Sequence, residues 1–265
     1  MLNIVRRQLD RNWIFLLACG VVLGGFEVLV CAMVASVDVE GAFGEITKFA
    51  PAVFRAMIEQ TLMGGSPAAV LAFGWNHPVA HALLTAVAIT LAARAIAGEV
   101  ENGAIELVLA QPVSRTQYFG AHVIFAVCAL SAVLAVGVLA TAIGQLAFSL
   151  SAFGWDRLAA LFVNALLLQL AIYGLTLLAS AFGREAGRVA LIGVMFAVLS
   201  FLVNAIATLW DKAAPFKPFS LHSYFDPREV LVEGHLAAGS ILVLAAFAAV
   251  ATALALIRFA RRDLP

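Results

Sequence analysis

Read for polarity alone, the chain falls into six long apolar stretches, at about 13–35, 79–97, 117–148, 156–181, 188–210 and 236–258, separated by more polar connections. Hydrocarbon offers a backbone no hydrogen-bond partner, so a crossing chain must be helical or a closed barrel, and these runs lack the alternation of barrel strands. Each reaches about the 20 apolar residues that a crossing helix needs. The pattern predicts an all-α, polytopic membrane protein, a single domain over 1–265 with six transmembrane helices. The third stretch has room for a tilted helix, a broken one or a re-entrant excursion, and the pattern does not choose among them. The first follows Arg6, Arg7 and Arg11, as the apolar part of a signal peptide would. It far exceeds the roughly 7–15 residues of such a segment and is read as a retained span.

The connections have patterns of their own. Over 1–12, Leu2, Val5 and Leu9 share a stripe with Trp13 while Arg6, Arg7, Asp10 and Arg11 fall elsewhere, which predicts an interfacial elbow helix ahead of the first span. Between the first two spans, Val53, Phe54, Met57, Ile58, Thr61 and Leu62 lie opposite the Arg55/Glu59 pair, the pattern of a short amphipathic surface helix. A further short helix is expected at about 99–110, because Glu99 and Glu101 suit a helix start and Pro112 must end it. Ser114 and Gln117 then form a capping-box start for the third span. The last connection, 211–234, sets Pro215, Pro218 and Pro227 among aromatic residues and suits a compact cap.

Composition narrows the function classes. The chain is 63% hydrophobic and 12% charged, far from the about half and a quarter of a soluble domain, and six spans leave no room for a soluble catalytic domain. Its zero net charge argues against a nucleic-acid partner. Cys19, Cys31 and Cys128 all fall inside apolar runs and read as packing residues. Placing both termini in the cytoplasm gives the inner side Arg6, Arg7, Arg11, Arg94, Arg115, Arg184, Arg188, Arg258, Arg261 and Arg262. The outer side keeps Lys48, Arg55, Arg157, Lys212, Lys217 and Arg228, a bias of ten against six that obeys the positive-inside rule. A multi-pass protein of the inner or plasma membrane is expected. Trp13, Trp75, Trp155 and Trp210 fall at the expected span ends, where indoles favour the headgroup region.

Candidate chemistry is sparse. The connection between the second and third spans puts acidic and apolar groups on a short helix rigidly followed by another, which suits either a docking element for a partner or a solvated loop helix. Glu27 stands in mid-span, where a carboxylate costs at least a few kcal/mol unless neutral, paired or facing water. It is a candidate for the substrate path together with Asn164 and Asn204, although polar groups in spans commonly hydrogen-bond between helices, as do His81, His122, Gln145 and Gln169 in the alternative reading. Gly20-x-x-x-Gly24 permits close approach of a second helix.

The run Gly98-Glu99-x-Glu101-x-Gly103-x-x-Glu106-x-x-Leu109-x-x-Pro112-Val113-Ser114-Arg115 resembles the E-x-x-x-G-T-x-E-x-L-L-A-x-P-V-S-R segment of ABC-2 type transporter permeases. Phe219-Ser220-Leu221-His222-Ser223-Tyr224-Phe225-Asp226-Pro227 is similar to that family's S-P-F-H-Y-x-x-P loop, and the tail Phe259-Ala260-Arg261-Arg262-Asp263-Leu264 to its F-x-R-R-D ending. Ala104 departs from the usual threonine. The resemblance implies a permease subunit of an ATP-driven exporter, paired with a second permease subunit, a homodimer in the simplest case. It also implies that a separate cytosolic ATPase subunit holds ATP and magnesium. By position, Glu99, Glu101, Gly103 and Glu106 would couple the chain to that ATPase, with Pro112 and Arg115 setting the turn. No cofactor is expected in this chain, nor ATPase chemistry: Lys48, Lys212 and Lys217 are its only lysines, and none ends a phosphate-cradling glycine loop. An ion-coupled carrier using Glu27 and an intramembrane enzyme are the alternatives. The second lacks any G-x-S-x-G or H-E-x-x-H motif.

Overall fold

The computed structural model describes residues 2–36, 48, 66–105, 113–150 and 153–262. Among these there is no strand, and six helical segments are long and apolar enough to cross a membrane. In chain order the helices are α1 (Leu2–Ser36), α2 (Pro67–Asn76), α3 (Pro78–Ala93), α4 (Glu99–Glu101), α5 (Arg115–Ala147), α6 (Trp155–Phe182), α7 (Ala186–Leu209) and α8 (Ala238–Ala260). A π-helical turn, Arg94–Gly98, joins α3 to α4, so that Pro67–Glu101 counts as one spanning segment. The amphipathic helix expected near 53–62 lies outside the described residues.

Three expectations change. No separate elbow precedes the first span, because α1 is one unbroken helix from Leu2 to Ser36. Its sequence has no proline and no glycine before Gly20, so nothing breaks the helix at Asn12. At about 1.5 Å per residue it outreaches a hydrocarbon core of roughly 30 Å, and the arginine-bearing first turns project beyond it. The second span starts earlier than expected, at Pro67, and bends at His77, whose extended conformation (φ −70°, ψ 141°) is what a following proline imposes. Third, Trp75 is no interface anchor: it is 1% exposed and buried among α1, α2 and α5. The long third stretch is one continuous helix, α5, opened by the expected capping box: Ser114 Oγ accepts from Gln117 N–H, and Gln117 Oε1 accepts from Ser114 N–H.

α6 occupies the middle, packing along α8 and against α3, α5 and α7. The apolar stretches of the second span and of α6 are the most buried, at 61% and 56%, against 22% for α7 and 17% for α8, so those two stand inside while α7 and α8 present their apolar sides outward. α1 packs along α5 through a seam of small residues. A Cβ added to Gly137 would come within 2.9 Å of Leu23 and Trp75, and one added to Gly144 within 2.7 Å of the Cys31 sulfur. Only glycine lets the two backbones approach so closely. At the end of the bundle away from the termini, the proline-rich connection folds into two 3₁₀ segments, Asp211–Phe219 and Leu221–Tyr224, and a π turn, Glu229–Glu233, closed by Gly234 in the left-handed region. This is the compact cap that its prolines and aromatics foreshadow.

Candidate functional site

The acidic connection begins where the second span ends. The Glu99 carboxylate is 2% exposed and receives Arg7 Nη2 at 3.2 Å and a short bond from Arg11 Nη1. One turn earlier Arg94 donates to Asn12 Oδ1 at 3.2 Å, so the projecting start of α1 is fastened twice to the end of the second span. The intervening π turn disturbs the helical ladder, and neighbouring hydroxyls satisfy its backbone. Ser180 Oγ of α6 accepts from Ala97 N–H at 2.9 Å and donates to Ala93 O at 3.2 Å, while Tyr118 of α5 donates to Ala95 O at 2.9 Å. Glu101 reaches the next helix: its Oε2 accepts from Ala186 N–H at 2.8 Å, capping α7, whose own N-cap residue Glu185 makes no such bond. Gly103 then turns with φ +66°, a conformation that favours glycine.

Arg115 faces the other way. Its Nη1 donates to the carbonyls of Phe259, Ala260 and Arg262 at the end of α8, where Phe259 O also accepts from the Arg262 N–H. Arg262 Nη1 in turn donates to Ala181 O at 3.1 Å and Ser180 O at 3.5 Å, at the end of α6. Burial, then the nearby Arg258 and Arg184, push the Arg262 pKa below its ordinary value, and the helix-end carbonyls offset that cost. Through these contacts all six spanning segments are tied together at one end.

The expected coupling residues do not share one surface. Glu99 and Arg115 turn inward as ties, Glu101 is exposed at the head of α7, and Gly103 forms an exposed turn. Glu106 and Pro112 lie outside the described residues. Reading the sequence missed Ser180, a single small polar residue in an apolar run that gave no signal. Arg262 was visible only as part of a basic tail.

A family model for ABC-2 family transporter proteins matches residues 7–264, nearly the whole chain. The chain belongs to the ABC-2 transporter family. No curated protein matches it significantly. It is thus a membrane permease by family, and the described parts of its family-like segments fall at the two ends of the bundle: 98–105, 113–115 and 259–262 at the tied end, 219–227 in the opposite cap.

In this ABC-2 permease the cap is anchored by buried polar groups. His222 Nδ1 pairs with Ser200 Oγ at 2.9 Å, and Ser220 Oγ donates to Ser200 O at 2.6 Å, fixing the 3₁₀ turn to α7. Burial, and then neighbouring His81, push the His222 pKa down to about 3, so its ring is neutral near pH 7. Of the three path candidates, Asn164 is 1% exposed and donates to Tyr224 O at 3.0 Å, tying α6 to the cap. Asn204 lines an open polar cavity beneath the cap. Glu27 is 1% exposed between α1, α2 and α5, where its Oε2 accepts from Thr141 Oγ1 at 3.2 Å, and Trp75 Nε1 donates to that same hydroxyl. Its other oxygen has no protein partner among the described residues.

Proposed function

We propose that this permease is the membrane-spanning subunit of an ABC exporter, powered in trans by a cytosolic ATPase subunit that binds ATP and magnesium and docks on the connection between the second and third spans. The observation that carries the reading is the tied end of the bundle. Segment 99–103 is bonded to α1 through Glu99 and to α7 through Glu101, and the adjoining π turn to α5 and α6. Arg115, at the far side of the same connection, holds α8. A push on this connection therefore loads every span at once, which is what a coupling element must do. The same end bears Arg6, Arg7 and Arg11 of α1, Arg94, Arg115, Arg184, Arg188 and Arg258, in keeping with a cytoplasmic face. Two such permease subunits, identical in the simplest case, enclose the path in the inner or plasma membrane, and Glu27 and Asn204 act along it.

Site-directed crosslinking tests this. In a Cys128→Ser background, Glu101→Cys or Glu106→Cys should capture an ATPase from native membranes, and reconstituted vesicles should transport only with ATP. Capture failing at both positions would remove the coupling assignment. Transport driven by an ion gradient without ATP would replace it with the ion-coupled reading, in which Glu27 titrates.

A further inference from the structure

Two cavities meet beneath the cap, and His222 stands in the wall of both. One is polar, about 270 Å³, with Asn76, Asn204, Thr208, Lys217 and Asp226 on its walls. The other is apolar, about 200 Å³, walled by Ala82, Ala197, Phe201, Leu202 and His81. The shared partition is built to hold still. Its imidazoles lie 5.1 Å apart, His81 Nε2 pairs with Asn76 Oδ1 at 3.2 Å, His222 Nδ1 pairs with Ser200 Oγ at 2.9 Å, and Phe201 packs edge-on against both rings.

Size and charge select the occupant. An apolar cavity of about 150 Å³ accepts a benzene ring, so this one, at about 200 Å³, has room for a single ring or a short branched alkyl group. In the polar cavity Asp226 Oδ1 is committed to the backbone N–H groups of Arg228 and Glu229, at 3.0 and 3.2 Å. Arg228, which pairs with Glu233 at 3.3 Å, and Lys217 place two cations in the wall against the one carboxylate of Asp226.

We propose that the paired cavities bind a small anionic amphiphile, with an aromatic or short branched end beside Phe201 and a carboxylate, sulfonate or phosphate beside Lys217. That this is also the class of molecule carried rests on the permease reading above. The His222 edge separates the two halves, and Asn76 and Asn204 supply amide donors to the head.

Binding is measured by fluorine NMR on the whole chain in phosphatidylcholine nanodiscs, with 4-fluorobenzenesulfonate as probe. Saturable binding is expected, weakened about tenfold or more in Lys217→Gln and in Ala197→Phe, and unchanged in Lys212→Gln. Ala82→Phe fills the same apolar cavity from its rim if Ala197→Phe fails to fold. Probe uptake that never saturates, equal binding of trimethyl(4-fluorophenyl)ammonium, wild-type binding by Lys217→Gln, or displacement of the probe by phosphatidylglycerol in the disc would overturn the proposal. A chain that captures an ATPase but binds no probe keeps the permease reading and loses this site. One that binds the probe but captures no ATPase keeps the site and loses the transport assignment.

Discussion

The guanidinium of Arg115 donates to the backbone carbonyl of Arg262, whose own guanidinium closes the end of α6. Two arginines 147 positions apart in the chain thus form a relay in which the start of α5 holds the end of α8, and the tail beyond α8 holds α6. Each donates to carbonyls at a helix end, and each places a cation at the negative end of a helix dipole.

Arg115→Ala should lower stability in detergent by about 1–3 kcal/mol, since a charged donor to several carbonyls is lost. Arg115→Lys should recover only part of it, because one ammonium cannot reproduce the planar fork. Thermal unfolding of the two variants, with amide exchange over 255–262, checks this. Equal loss in both would leave the geometry of the fork without a role.

Glu99 is the buried member of its ion pairs, whereas Arg7 and Arg11 are 42% and 44% exposed. Removing both arginines strands a carboxylate and should cost about 3–5 kcal/mol, while Glu99→Gln alone should cost less, because its partners can turn to water. Adding Glu99→Gln to the double arginine variant should restore stability. A triple variant no more stable than the double would show that the carboxylate is not the stranded charge.

The seam between α1 and α5 predicts a contrast between two glycines. Gly144→Val must push Cys31 aside and should destabilise by about 1–3 kcal/mol, whereas Gly25, with nothing within 4 Å of an added Cβ, should accept valine without loss. Melting temperatures of the two variants in the same detergent decide it.

Glu27→Gln keeps an oxygen to accept from Thr141, so the variant should assemble normally and melt within a few degrees of the wild type. If Glu27 serves the transport path, vesicle transport by this variant falls even so. Unchanged transport would confine Glu27 to packing among α1, α2 and α5.

His222 titrates against the fold. Its folded pKa of about 3 lies below the ordinary histidine value, so the folded cap binds fewer protons than the opened one between those two pH values. The stability it lends is complete above about pH 6.5 and is lost as pH falls toward 3, on the order of 1.4 kcal/mol per pH unit for the cap alone. Its neighbours are His81 and, in the polar cavity, Lys217, Asp226 and Arg228. Amide protection over 211–225 should therefore fall between pH 6.5 and 4.5, and His222→Gln should flatten that dependence. A wild-type profile that is already flat would exclude the histidine.

The sequence by itself determined the all-helical class, the number of spans, the capping box at Ser114 and the proline-rich cap, because each follows from local chemistry: hydrocarbon forbids unpaired backbone, and prolines and caps act on their own neighbours. The family-like motif also marked Glu99, Glu101 and Arg115, though not what they touch. Only the tertiary structure decided that Glu99 meets Arg7 and Arg11, that Ser180 repairs the π turn, that Trp75 is core and that His222 joins Ser200. Such pairs lie far apart in the chain, and in apolar helices with no strong polar face the packing of small residues, not periodicity, sets which sides meet.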